Sequence, residues 1–238
     1  MQFILDGLRG AFDLLVAGDP RILGVLGVTL TVALWSTLFA LVAGLPIGLW
    51  LGLGRFAGRR LGLATANAGL GLPPVVVGLV VSLFLFRGAP LGFLSLIYTV
   101  EGMIVAQTVL SLPIVAALTA AAVQGVEPAL LRQARALGAS RVRVAALALR
   151  EARVGVLAAT IGALGSALSE VGALVLVGGN IEGQTQTLAT AVLVRVSAGE
   201  YAQAIALGAL LLALVFLISA ALTVAQQGEA KWQATRAS

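Results

Sequence analysis

Four stretches of this chain, 22–54, 61–86, 102–126 and 201–228, contain no Asp, Glu, Lys or Arg. A helix needs about 20 residues to cross a hydrocarbon layer about 30 Å thick, and each stretch is longer than that. A fifth, 154–181, is interrupted once, by Glu170. In hydrocarbon every backbone polar group must find its partner within the protein, which leaves helices or closed barrels. These stretches are continuously apolar, without the two-residue alternation of barrel strands. The expected fold is therefore all-α: a polytopic helical membrane protein forming one transmembrane domain over 1–238. Its five spans are expected near 22–53, 64–86, 102–124, 153–178 and 201–226. Residues 1–20 are not expected to be a signal peptide. Ile4, Leu8, Ala11, Phe12 and Leu15 share one helical face and Asp6, Arg9 and Asp13 the other, which describes an interfacial amphipathic helix.

Composition narrows the chemistry. With no Cys and no His, the chain lacks thiol nucleophiles, imidazole bases and the usual ligand sets for zinc or haem. No metal site and no catalytic residue is expected. Aromatic residues make up 5% of the chain, which speaks against stacking platforms for nucleic acid. The net charge of +5 reads instead as an insertion signal. Under five-span threading, 11 of the Lys and Arg residues fall on one side and 4 on the other. The rule that basic loops stay inside then places the N-terminus outside and the C-terminus in the cytoplasm. Pro73-Pro74 and Pro113 are expected to kink spans two and three, a feature of a bundle that moves.

The segment 127–150 is the longest polar connection and lies on the basic side. Pro128 suits a first helical turn, Leu130, Ala134 and Leu137 fall on one face, and Gly138 is placed to end the helix. Ser140 is a fitting N-cap for a second helix that would run on into span four. The residues themselves allow either an anchor on anionic lipid or a docking site for a protein.

Gln133-Ala134-Arg135-Ala136-Leu137-Gly138-Ala139-Ser140 resembles the cytoplasmic loop of ABC importer permeases. The family pattern begins Glu-Ala-Ala, with Gly four residues after the second Ala. Arg132 and Gln133 depart from its Glu and first Ala, and Arg150-Glu151 from its frequent Leu-Pro ending. The resemblance implies a coupling loop for an ATPase subunit, carried here by Ala134, Leu137, Gly138, Ala139, Ser140 and Arg141. Residues 71–78, 107–113 and 169–183 resemble the oxyanion permeases of the type I ABC class, tungstate permeases above all, with molybdate and sulfate permeases related. The resemblance implies a homodimer, two ABC ATPase subunits and an external oxyanion-binding protein, in the cell (inner) membrane. There is no phosphate-binding Gly-x-x-x-x-Gly-Lys-Ser/Thr motif, so ATP and Mg are expected on the partner and no cofactor on this chain. No regulatory cytoplasmic domain is expected after the last span.

Glu170, Gly178, Gly179, Asn180, Thr185 and Thr187 are the expected gate or translocation-path residues. Glu170 is the only Asp, Glu, Lys or Arg within the five windows. Insertion of such a group costs about 2.5–3.5 kcal/mol, so it should face protein or a water-filled path. Gln107, Thr108, Ser111 and Arg195 are its candidate partners. Its role is left open between a fixed hydrogen bond and a gate element. Residues 185–197 read as a helix too short and too polar to span, and the hydroxyls of Thr185, Thr187 and Thr190 as anion contacts. An autonomous channel and an intramembrane enzyme are the rival readings. The enzyme would need a nucleophile set that these spans lack, since the single Lys is Lys231, beyond span five.

Overall fold

The computed structural model describes residues 20–237, with side chains over 20–224. The expected amphipathic helix at 1–20 lies outside the described residues but for Pro20. Ten α-helices and one 3-10 turn make up the described chain, which has no strand. They are α1 (Pro20–Leu53), α2 (Arg59–Gly69), α3 (Pro74–Leu85), α4 (Val100–Gln124), α5 (Pro128–Ala136) and α6 (Arg141–Glu151). α7 (Arg153–Ser169), α8 (Gly172–Gly178), α9 (Leu188–Ser197) and α10 (Tyr201–Ala237) follow. α1, α4 and the 201–224 part of α10 are each long and apolar enough to cross a membrane.

The other two expected spans are bent pairs. α2 and α3 meet at 102°, and α7 and α8 at 60°. Pro73-Pro74 thus does more than kink a span. α2 closes at Gly69; residues that precede a proline are held out of the α region, so the chain then passes through extended Pro73, with Pro74 opening α3. Pro113, by contrast, lies inside an uninterrupted α4.

The chain divides into two interleaved units. One comprises the described residues through Ser36 together with Pro73–Leu110 and Leu164–Ile218. Here α3 packs on α8 with Val77, Leu110 and Ala173 buried, and Leu85, Ala106 and Val177 continue the contact. A Cβ added at Gly78 would stand 2.5 Å from the Ala173 Cα, so the two backbones touch. Small residues serve this purpose in membranes, where dispersion between close backbones drives helix association. Val25, Leu188, Ala191 and Leu207 form a second cluster that seats α9.

The other unit comprises Thr37–Leu72, Ser111–Ala163 and the residues from Ser219 onward. Its axis is the contact between α1 and α4, where Gly44, Gly48 and Gly52 lie against Val115, Thr119 and Ala120. Ala40, Val115 and Ala163 are buried together, and Leu51, Ala66, Ala117 and Ala120 bring in α2. Beyond them Val123 and Val126 join Leu131, Val144, Ala148 and Ala152, fastening α5 and α6 to the end of α4.

Candidate functional site

The polar connection after α4 is a helical hairpin with every end capped. Glu127 accepts a hydrogen bond from the Ala129 N–H, and Pro128 takes the first helical position. At the far end of α5, the Gly138 N–H donates to the Arg135 carbonyl and the Ala139 N–H to the Ala134 carbonyl, both at 3.0 Å. That is a Schellman closure, and it requires the left-handed φ of +83° that Gly138 adopts. Ser140 then accepts from the Arg143 N–H and opens α6. α6 is separated from α7 by Ala152 alone, where the sequence reading has one helix running on into span four.

One expectation fails here. Leu137 does not share the buried face with Leu130 and Ala134; it is 88% exposed. It occupies the C-cap, where the chain has already left the helical path. Val142, at 79%, is exposed a few residues further on, so the corner presents two bare aliphatic side chains. Arg132, Arg135, Arg141, Arg143 and Arg150 are exposed around them, while Ala134 and Ala139 lie partly buried at the base. The corner is thus an aliphatic tip within a collar of exposed arginines.

The second group of expected residues lies in the other unit. Glu170 is half-buried at the break between α7 and α8, not inside a continuous helix. Its Oε1 accepts from the N–H groups of Val171 (3.0 Å) and Ala173 (3.2 Å). The carboxylate thereby replaces carbonyls that a continuous helix would have supplied, and its charge suits a helix start. Two of its expected partners are engaged elsewhere: Arg195 pairs with Glu200 at 2.7 Å, and Thr108 donates to the Ile104 carbonyl. Gln107 and Ser111 are wholly buried along α4.

α8 ends in a tight loop. Gly179, with φ +73°, caps the helix, and Asn180 follows with φ +50°. Thr185 Oγ1 donates to the Gly178 carbonyl at 2.6 Å and accepts from the Ile181 N–H at 2.9 Å. Met103 covers Gly178, and Tyr98 stands over Gly179. Thr187 and Thr190 form a reciprocal capping box at the start of α9, and Thr29 Oγ1 accepts from the Leu188 N–H at 2.9 Å. The three threonines read as anion contacts are therefore buried and bonded to one another or to backbone. α9 is also apolar where a polar helix was expected, because Thr185 and Thr187 precede it. Sequence reasoning missed Thr29 as the anchor of α9. Its signal, a hydroxyl in an apolar span, is shared with too many ordinary positions.

This arrangement defines a multi-span helical membrane protein, with a capped helical hairpin in one unit and a tightly bonded loop in the other. The chain belongs to the binding-protein-dependent transport system inner membrane component family, whose profile matches residues 44–228. It is a permease subunit of an ABC transport system and not itself an enzyme. It is 35% identical over 227 residues to the tungstate uptake system permease protein TupB of Peptoclostridium acidaminophilum, covering 95% of this chain and 100% of the relative. A probable anion ABC transporter permease protein of Haloferax volcanii is 41% identical over 84% of this chain and 88% of its own. Among solved structures, an inward-facing form of the MetNI methionine ABC transporter superposes with a TM-score of 0.72 at 22% identity, over 88% of this chain and 96% of the other. That likeness establishes the type I importer fold.

Proposed function

We propose that this chain forms the translocation path for an oxyanion, tungstate first, delivered by an external binding protein. The supporting observation is its likeness to the tungstate permease from end to end, rather than over a shared segment. Molybdate and sulfate are the second reading, supported by similarity at 30% identity to the molybdenum permease ModB of Azotobacter vinelandii. Two copies of the chain would place the path on a two-fold axis, because five spans alone can barely enclose one. Each copy would present its hairpin to an ABC ATPase subunit, which holds ATP and Mg. Each bent pair counts as one span, with the N-terminus outside and the hairpin and C-terminus in the cytoplasm.

The hairpin suits coupling because its ends are closed by its own hydrogen bonds. It would move as a piece when the ATPase subunits approach, with Leu137, Gly138 and Arg141 at the contact and Ala134, Ala139 and Ser140 holding the corner. The break at Glu170, next to the backbone contact of Gly78 with Ala173, is the proposed gate hinge. Gly178, Gly179, Asn180, Thr185 and Thr187 would shape the outer rim of the path. In this reading they hold the backbone of the loop and do not grip the anion with hydroxyls.

The test is reconstitution with the ATPase and binding protein, followed by ATP turnover and anion uptake with tungstate, molybdate and sulfate in turn. Tungstate should support both at the lowest concentration. Equal response to a cation or an uncharged solute would sink the reading, and anion flux without the ATPase would favour a channel.

A further inference from the structure

Where α1 leaves its apolar stretch, a cleft of about 670 Å³ opens between the end of that helix and the flank of the hairpin. Its apolar wall is Leu49, Trp50 and Leu53, and its basic rim is Arg55, Arg135 and Arg141. The volume falls in the range of small-ligand sites. Trp50 is 60% exposed and stacks on Phe56, with ring centroids 4.1 Å apart. α1 has 34 residues and is therefore about 51 Å long, well beyond an apolar layer of about 30 Å. Its last turn, followed by Arg55, Arg59 and Arg60, thus reaches the headgroup layer, where Trp side chains collect.

The arginines divide by use. Arg59 donates to the carbonyls of Leu51 (2.8 Å) and Gly52 (3.2 Å) and so completes the end of α1. The guanidinium groups of Arg55, Arg135 and Arg141 make no hydrogen bond or ion pair among the described residues. Arg141 is shared with the ATPase contact proposed above; the Arg55 and Arg135 guanidinium groups, without a partner beside an aliphatic and aromatic wall, match a phosphate anion joined to an acyl chain. We propose that this cleft binds the headgroup of an anionic phospholipid, with the chain lying along the exposed Phe39, Val42 and Trp50 face of α1. Basic pockets at the cytoplasmic ends of membrane helices hold such lipids by the same physics. The inference rests on the threading proposed above, which cysteine labelling tests separately.

The chain has three Trp, so Trp35→Phe and Trp232→Phe leave Trp50 as a single reporter in the cleft. The permease, assembled with its ATPase, is placed in phosphatidylcholine vesicles with a small, equal fraction of brominated phosphatidylglycerol or brominated phosphatidylcholine. Trp50 should be quenched several-fold more effectively by the anionic lipid. Arg55→Gln should lower that preference about fivefold, and Arg55→Lys should keep most of it. Equal quenching by the two lipids would overturn the proposal. So would loss of the preference on adding inorganic phosphate, which would assign the cleft to a soluble anion. A preference seen with the permease alone and abolished by the ATPase would assign the arginines to that protein. Should the Trp variants fail to assemble, native mass spectrometry of the wild-type complex and its Arg55→Gln form serves instead. More phosphatidylglycerol retained by wild type would support the cleft, and equal retention would overturn it.

Discussion

Thr185 and Glu170 do the same kind of work with different atoms: each side chain satisfies backbone groups that a break in helical structure has released. Thr185 is buried, so Thr185→Val would strand the Gly178 carbonyl away from water and leave the Ile181 N–H without its acceptor. A buried unsatisfied group costs about 1–3 kcal/mol. The expected outcome is a lower melting temperature in detergent and reduced uptake, with Thr185→Ser close to wild type. Glu170→Leu removes both acceptor contacts at the start of α8, a loss of about 1 kcal/mol of cap stabilisation. Transport and binding-protein-stimulated ATP hydrolysis should fall together. Glu170→Gln retains an acceptor oxygen and should keep part of both. Wild-type uptake by Glu170→Leu would remove this residue from the mechanism.

Among the elements, the hairpin is the most legible in the sequence and the bent pairs the least. Pro128, Gly138 and Ser140 each have a local conformational reason for their places, so start, corner and restart can be read one after another. A chain break at Glu170 has no such local signature. A lone acid in an apolar run reads as a side chain in need of a distant partner, and only the folded backbone reveals that it serves the next turn of its own chain. Pro73-Pro74 announces an interruption but carries no angle, because a proline fixes its own φ and leaves the direction of the following helix to packing. Leu137 escapes the helical pattern because that pattern ends at the cap, one residue too early to bury it. At this scale Gly138→Val is the informative change. It forces a β-branched residue to φ +83°, a strain of about 1–2 kcal/mol or more. Co-purification should show weakened ATPase association, or turnover uncoupled from uptake, while membrane insertion stays normal. Gly78→Val should instead separate α3 from α8, lowering the melting temperature and uptake with ATPase association preserved, since the obstacle is the Ala173 backbone.

At the scale of the whole molecule, the apolar windows matter most. The bilayer admits few ways to satisfy a backbone, and length without charge is enough to give the fold class. Which side each loop occupies can be tested directly because the native chain has no Cys. Ala139→Cys is expected to react with a membrane-impermeant maleimide only from the cytoplasm, and Gly183→Cys only from outside. Reaction of both from one side would refute the N-outside threading. The ladder of Gly44, Gly48 and Gly52 on α1 also governs how this gene can drift. At each rung an added Cβ would stand 2.6–3.1 Å from the nearest atom of α4. No neighbouring change can readily make room when main chain is among the atoms met. A saturation library across 38–53 should therefore yield tolerance scores that fall hardest at Gly44, Gly48 and Gly52, the helical pitch written out in surviving clones.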